Sequence, residues 1–194
     1  CHFCTFRMEG SFTNKLFGEP NKKGIFTLNP SRFLSKEKSL EIIKDCSEMG
    51  VKSIEFTGGD EPTVHPDHVE IFSAVLDGDM DFGLITNGVL FKEGFEDIIL
   101  KSTWCRFSLD AGNAKTYSKI RETPESTFDK VLENIRRLTE KKKQINSETT
   151  LGLSFIVTDE NYSEIYDAAK ISSELGVDYF RIGYYRTDEG FTAG

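Results

Sequence analysis

Two cysteines, Cys1 and Cys4, stand at the start of the sequence with the spacing Cys-x-x-Cys. A tight loop of this kind brings both sulfurs within reach of one metal ion or of one iron–sulfur cluster. The pair alone fits half of a zinc site, a redox-active dithiol or two cluster ligands, and a lipidated N-terminal cysteine is a less favoured alternative. The zinc interpretation lacks a second Cys-x-x-Cys or His-x-His pair, and the redox interpretation lacks a helical pattern starting at the pair.

A second unusual segment, Thr57-Gly-Gly-Asp-Glu-Pro-Thr63, follows a strand-like stretch. Consecutive glycines allow a close approach of the backbone to a ligand, and the proline stiffens the exit of the loop. This arrangement can present backbone groups together with the carboxylate of Glu61, which suits a cationic ligand group. A generic strand-to-helix turn is the alternative.

Further polar residues follow two other strand-like stretches: Thr86-Asn-Gly88 and Ser108-Leu-Asp110. Helices alternate with five predicted strands. The predicted strands are Lys52–Thr57, Asp81–Thr86, Trp104–Leu109, Leu151–Val157 and Tyr179–Tyr185, and the predicted helices are Ser35–Met49, Pro66–Leu76, Phe95–Lys101, Ser126–Lys143 and Tyr162–Leu175. Alternation of this kind predicts a parallel α/β sheet, either doubly wound or closed into a barrel. Both architectures bind ligands at the carboxyl ends of their strands, where these polar residues lie.

Composition narrows the class of protein. The 194 residues carry 24 Lys and Arg against 32 Asp and Glu, a net charge of −8, which argues against a basic nucleic-acid surface. No stretch is long and apolar enough for a membrane span or a signal peptide. Cys46 and Cys105 lie far apart in a predicted helix and strand and are interpreted as core thiols. We therefore expect one soluble domain from a reducing compartment, the cytoplasm.

The cysteine loop resembles that of the radical S-adenosylmethionine (SAM) enzymes. In that family a Cys-x3-Cys-x2-Cys loop holds a [4Fe–4S] cluster. Cys1 and Cys4 match its second and third cysteines, and Phe3 matches the aromatic residue that usually precedes the last one. The first cysteine of the motif would stand four places before Cys1, so the resemblance predicts a truncated sequence.

The glycine loop carries the same resemblance. Gly58-Gly59-Asp60-Glu61-Pro62 is similar to the family's Gly-Gly-Glu-Pro element, with Asp60 as a departure from the Thr-Gly-Gly-Gly-Glu-Pro form. The resemblance implies that Glu61 binds the methionine amino group of SAM, with Gly58 and Gly59 forming the loop beside it.

The remaining strand ends match the family's SAM-binding positions. Ser108 and Asp110 resemble its Ser-x-Asp, which lies near the ribose and methionine of SAM, and Arg121 stands where many members pair an Arg with the SAM carboxylate. Thr86 and Asn87 lie where the third family strand faces SAM. The strands around Ile156 and Ile182 would flank the adenine. Judged without the family, Arg121 would be a surface residue.

The resemblance covers nearly the whole chain. It predicts one radical SAM core domain over residues 1–194, a partial (β/α)6 TIM-like barrel without its first strand, closest to molybdenum-cofactor synthesis enzymes and to peptide- or sulfatase-modifying enzymes. The implied activity is reductive cleavage of SAM to a 5′-deoxyadenosyl radical, with a small-molecule or peptide substrate and flavodoxin or ferredoxin as electron donor. The alternatives are a non-catalytic zinc-binding domain and a degenerate radical SAM scaffold.

Two residue pairs have weaker functional interpretations. Arg181 and Arg186 lie at the last predicted strand and could contact a carboxylate or phosphate, with structural ion pairs as the alternative. His65 and His68 are three apart near a helix start, where capping or surface positions are favoured over a metal site.

Overall fold

The computed structural model describes residues 33–58 and 61–184 and the backbone of residues 186–187 and 190–191. Its helices and strands, in chain order, are α1 (Lys36–Glu48), β1 (Ser53–Phe56), α2 (His68–Asp77), β2 (Asp81–Thr86), α3 (Phe95–Ile99), β3 (Trp104–Ser108), α4 (Ala114–Arg121), α5 (Ser126–Ile145), β4 (Thr150–Val157), α6 (Ile165–Leu175), β5 (Tyr179–Tyr184), β6 (Arg186–Thr187) and β7 (Gly190–Phe191). The five predicted strands are confirmed as β1 to β5.

These five strands form one parallel sheet in the order β1-β2-β3-β4-β5. Each strand thus pairs with the next one in sequence. Right-handed crossovers that always step in the same direction put every connecting helix on the same face of the sheet. A doubly wound sheet must instead reverse its strand order. The order therefore selects the barrel-like alternative, and the fold is a partial TIM-like barrel. Strands β6 and β7 form a separate antiparallel pair.

The apolar core lies between the sheet and these helices. Alternate residues of the central strands are buried there, among them Phe82, Leu84, Cys105, Phe107, Leu151 and Leu153. Helix α5 packs against them through Val131, Ile135 and Leu138, each fully buried, as its sequence periodicity predicts. Cys46 packs against the edge of this core, so both described cysteines are core thiols.

Helix ends follow the local signals in the sequence. The Ser35 hydroxyl accepts a hydrogen bond from the Lys38 N–H at 3.2 Å and caps α1. Asn146 takes a left-handed conformation, with φ of 51°, and ends α5, and Gly176 ends α6 in the same way with φ of 71°.

The segments that follow β1 and β3 differ from the predicted secondary structure. Helix α2 begins at His68 rather than Pro66, and a 3₁₀ turn over Pro62–Val64 precedes it. Helix α4 was not predicted at all. It has only eight residues, too few to establish a clear apolar periodicity, and its start depends on the Asn113 side chain, which accepts a hydrogen bond from the Thr116 N–H at 3.0 Å.

Candidate functional site

The Glu61 carboxylate lies at the carboxyl ends of β1 and β2 and accepts four hydrogen bonds. Oε1 accepts from the Thr63 N–H at 3.1 Å, from the Thr63 hydroxyl at 2.8 Å and from the Thr86 hydroxyl at 2.7 Å, and Oε2 accepts from the Asn87 N–H at 2.6 Å. Thr63 and Thr86 are buried, whereas Glu61 is partly exposed. The carboxylate is therefore held in one orientation at the surface of the strand ends.

The distribution of these hydrogen bonds leaves one oxygen of the Glu61 carboxylate able to accept another. Each carboxylate oxygen has about two acceptor positions. Three of the described hydrogen bonds end on Oε1 and one ends on Oε2. Oε2 of Glu61 thus retains acceptor capacity on a partly exposed anion, which suits an ammonium group.

A tight turn after β2 positions two of the donors to Glu61. The Thr86 hydroxyl donates to Glu61 and accepts from the Gly88 N–H at 3.1 Å. Gly88 has φ of 74°, and a Cβ there would come within 3.1 Å of Phe107 Cδ1, so the turn needs glycine. The Asn87 side-chain oxygen accepts the Val89 N–H at 2.9 Å, which leaves the Asn87 backbone N–H directed to Glu61.

Asn134 fixes this turn from the helix side, a contribution that the sequence analysis missed. Its side-chain nitrogen donates to the Gly88 carbonyl at 2.9 Å and to the Val89 carbonyl at 3.3 Å. Asn134 is buried within the apolar stripe of α5, next to Ile135. A polar amide inside such a stripe is the signal that could have identified it, because buried polar groups need partners.

Asp110, at the end of β3, forms a buried ion pair with Arg121, the last residue of α4. The Asp110 Oδ2 lies 2.7 Å from Arg121 Nη2, which also donates to the Ser108 carbonyl at 2.6 Å. Asp110 Oδ1 accepts the Ile156 N–H at 2.8 Å. Burial raises the pKa of the Asp110 carboxyl, and the Arg121 charge and the Ile156 N–H oppose that rise. Arg121 is therefore not the surface residue expected without the family.

Asn161 holds the Asp110 backbone in place. Asp110 has a left-handed conformation with φ of 57°. The buried Asn161 side chain donates to the carbonyls of Asp110 at 2.9 Å and Ile156 at 2.8 Å, and it accepts the Thr158 N–H at 2.7 Å. This side chain bridges the strand ends of β3 and β4. Asn161 was not predicted as a site residue, because nothing in the local sequence distinguishes it from a loop asparagine.

Glu164 makes a second bridge between the same two loops. One of its oxygens accepts the Gly112 N–H at 2.7 Å, and the other accepts the Thr116 hydroxyl. A Cβ on Gly112 would lie 2.9 Å from the Asp167 Cβ, so the two loops are in close contact. The loop carrying Asp110 is thereby fixed to the start of α6.

Several predicted residues lie elsewhere or outside the described residues. Gly58 lies exposed after β1, and Cys1, Phe3, Cys4 and Gly59 are outside the described residues. The Ser108 side chain lies on the sheet face away from the helices. Ile156 aligns with Gly183 in the ladder between β4 and β5, so Ile156 and Ile182 project from opposite faces of the sheet. The two side chains therefore do not flank one adenine site from the same face, as the resemblance implied.

The two histidines are engaged in local structure. His65 accepts the Asp67 N–H at 3.1 Å through Nδ1 and contacts the Leu34 carbonyl through Nε2. His68 is buried and contacts the His65 carbonyl through Nδ1 at 2.8 Å, and burial lowers its pKa. Within residues 33–58 and 61–184, no three His, Cys, Asp or Glu side chains are grouped to hold a metal ion. In the same part of the chain, no helix has the length and apolar character needed to cross a membrane.

A sheet of parallel strands with its helices on one face, and with a fixed carboxylate and a buried ion pair at the strand ends, places the chain among TIM-barrel-like α/β proteins. The family model described as the Radical SAM superfamily matches residues 1–172. The chain belongs to the radical SAM superfamily, a family of enzymes that use a [4Fe–4S] cluster and SAM, and the predicted family is confirmed.

Curated relatives point to one branch of this family. A "Probable GTP 3',8-cyclase" of Saccharolobus islandicus (strain M.14.25 / Kamchatka #1) is 32% identical over 146 residues, which cover 74% of this chain and 45% of that protein. A protein of the same name from Methanocaldococcus jannaschii is 30% identical over 153 residues, 76% of this chain and 48% of its own length. The chain therefore spans about half the length of these relatives.

Solved structures share the fold. Streptococcus suis SuiB bound to S-adenosylmethionine has a TM-score of 0.66 at 21% identity, covering 83% of this chain and 36% of SuiB. Native anSMEcpe with bound AdoMet has a TM-score of 0.61 at 16% identity, covering 94% of this chain and 48% of its own. These likenesses support the partial barrel.

Proposed function

We propose that the chain is the core of an enzyme that binds SAM at the Glu61 end of its sheet and cleaves it to start radical chemistry on a substrate. When bound, the reduced cluster would supply the one electron that breaks the carbon–sulfur bond of SAM, giving methionine and a 5′-deoxyadenosyl radical able to abstract hydrogen from the substrate. The observation that carries the proposal is the Glu61 carboxylate, oriented by Thr63, Thr86 and Asn87 with acceptor capacity left on Oε2.

The residues present fit the methionine part of SAM. Its ammonium group needs an oriented anion, and Glu61 is a partly exposed carboxylate whose own position is fixed by neighbouring donors. Ser108 and Asp110 follow on the next strand and would contact the ribose and the methionine. Gly58 and Gly59 would let the backbone approach the ligand closely.

Arg121 has a double task in this proposal. Its guanidinium carries five donors in a planar fork. Nη2 binds the Asp110 carboxylate and the Ser108 carbonyl, which fixes the group close to the strand end. We propose that Arg121 also contacts the SAM carboxylate from this fixed position. Asp110 then orients Arg121 in addition to its own proposed contact with SAM.

Cys1 and Cys4 are proposed as two cluster ligands, with Phe3 beside them. The Cys-x-x-Cys spacing matches the family loop, and the family model includes both residues. An electron donor such as flavodoxin or ferredoxin would reduce the cluster, and we propose a cytoplasmic location for the protein. The substrate is a small molecule or a peptide: the curated relatives are named for GTP, and SuiB has been solved with its precursor peptide SuiA.

The experiment that tests the proposal is anaerobic reconstitution with iron and sulfide, followed by dithionite and SAM and an assay for 5′-deoxyadenosine. We expect the wild-type protein and the control variant Cys46→Ala to form it, because Cys46 lies at the edge of the core away from the strand ends. Cys4→Ala should lose both the cluster absorbance and the product. A Cys4→Ala protein with an intact cluster, or a cluster-loaded wild type that forms no 5′-deoxyadenosine, would contradict the proposal.

A further inference from the structure

Two arginines lie on the face of the sheet that the described helices leave uncovered. In β3, Arg106 alternates with the core residues Cys105 and Phe107, so its side chain projects from the opposite face. Arg181 of β5 aligns with Ser154, which in turn aligns with Ser108. In a barrel-like sheet this uncovered face is the concave inner face.

Two aromatic rings form the floor beside these arginines. A Cβ on Gly83 would lie 2.6 Å from Trp104 Cε2, and a Cβ on Gly152 would lie 2.1 Å from Tyr179 Cζ. Both rings therefore lie flat across a glycine backbone. The arginine side chains project from the same face of the sheet as these two rings.

Arg106 is half-buried and lies against this floor, with Cζ 5.3 Å from the centre of the Trp104 ring. The ring face partly compensates the cation, but it accepts none of the five guanidinium N–H groups in a strong hydrogen bond. No hydrogen bond from Arg106 to a described residue is present in residues 33–58 and 61–184. A half-buried guanidinium in this position is a ready anion site.

Arg106 and Arg181 differ from two other arginines of the chain in their charged neighbours. Arg121 and Arg137 each have a carboxylate within 4.0 Å, whereas within the described ranges neither Arg106 nor Arg181 has one. The chain as a whole has an excess of acids, 32 against 24 Lys and Arg. Glu55 is on the same face but aligns with Gly83, nearer the amino end of the strands, and makes no ion pair with Arg106.

From this placement we infer that the substrate is an anionic small molecule whose phosphate or carboxylate group is bound by Arg106 and Arg181. This inference rests on the proposed function and names the substrate class for the same barrel. Ser108, proposed to contact SAM, lies two residues beyond Arg106 on the same strand and face, a rise of about 7 Å along the strand. An anion at the arginines therefore places the rest of the substrate beside SAM.

The test is isothermal titration calorimetry of the reconstituted protein with inorganic triphosphate and, in a second arm, with citrate. We expect binding that weakens about tenfold in Arg106→Gln and in Arg181→Gln, because a charge-assisted hydrogen bond contributes at least the free energy of a tenfold affinity change. Arg106→Lys keeps the charge without the planar fork and should lie between. Arg136→Gln, on the exposed face of α5, is the matched control and should bind as wild type.

Trp104 fluorescence gives an independent measurement of anion binding, because Trp104 is the chain's single tryptophan and lies against Arg106. Its emission should change on titration with the anion that binds and should not change in Arg106→Gln. Tighter binding of triphosphate assigns a phosphorylated substrate, and tighter binding of citrate assigns a polycarboxylate.

Two outcomes separate this inference from the proposed function. If the wild type forms 5′-deoxyadenosine from SAM but binds neither anion, or if both arginine variants bind as wild type, the inference is overturned while the enzyme assignment stands. If anions bind with the expected arginine dependence but no 5′-deoxyadenosine forms, the anion site stands and the proposed function fails.

Discussion

Arg121 Nη2 lies 2.7 Å from Asp110 Oδ2, and the two side chains are 13% and 4% exposed. The pair joins the end of β3 to the end of α4, and the Ile156 N–H extends the contact to β4. Three elements of the candidate site are thus coupled through one carboxylate. Disturbing it should affect both stability and SAM binding.

The Asp110–Arg121 pair can be measured by a double-mutant cycle. Asp110→Asn removes the charge that Asp110 places beside a largely buried guanidinium and should destabilise the fold by about 3–5 kcal/mol. Arg121→Met should also destabilise the fold. The double variant should lose less free energy of unfolding than the two single variants together, with a coupling of about 0.5–3 kcal/mol. Urea unfolding measures these values. The exposed pair Lys44–Glu48 is the control and should show a coupling of about 0.3–0.5 kcal/mol. Additive losses at Asp110 and Arg121 would mean that the pair is not coupled.

Glu61→Gln should weaken SAM binding while leaving the iron content unchanged. The amide removes the negative charge and turns an NH₂ group towards donors such as the Asn87 N–H. Loss of one charge-assisted hydrogen bond corresponds to about a tenfold or larger rise in the dissociation constant. Titration of the reconstituted protein with SAM gives this constant, and the exposed Glu133→Gln on α5 is the control. Unchanged affinity would remove Glu61 from the SAM site.

Asn161→Asp should destabilise the loop after β3. Aspartate has no N–H to donate, so the buried carbonyls of Asp110 and Ile156 would lose their partners and face a negative charge. Each buried unsatisfied group costs about 1–3 kcal/mol. We expect a lower urea midpoint and weaker SAM binding, because Asp110 would leave its left-handed conformation. A variant as stable as wild type would show that the loop does not depend on Asn161.

Gly152→Ala should destabilise the barrel by about 1–3 kcal/mol, since the new methyl would overlap the Tyr179 ring. The effect is steric, because Gly152 is in a regular strand. Tyr179→Ala creates space at the same place, so the double variant should lose less than the sum of the two single losses. Thermal unfolding measures all three, and strict additivity would contradict the contact.

Asp178 should make stability depend on pH in the acid range. Burial raises the pKa of its carboxyl, but hydrogen bonds from Lys142 and from the Leu151 N–H outweigh it and lower the pKa below the usual 3.8. A depressed folded-state pKa contributes stability above pH 3.8, and that contribution is lost as the pH falls through the folded value. Asp178→Asn should therefore flatten the fall in stability at acid pH. The free energy of unfolding, measured with urea from about pH 2 to about pH 6, checks this.

The sequence by itself determined the alternation of elements and where the polar residues fall on them. Periodicity in α5 and the caps at Ser35 and Gly176 are local effects, so short segments are enough to predict them. The same holds for the strand ends, because the motif around Glu61 is contiguous. The family follows from contiguous motifs too. Cys1, Phe3, Cys4 and Gly59 lie outside the described residues, so their roles stay predictions.

Only the tertiary structure decided between a doubly wound sheet and a barrel, because strand order depends on which strands pair. It also gave Arg121 an internal partner and assigned Asn134 and Asn161 to the site. Asn134 bonds a turn 46 residues away and Asn161 bonds a carbonyl 51 residues away. Such contacts leave no local pattern in a sequence, since they form only when parallel strands bring distant loops to one edge of the sheet.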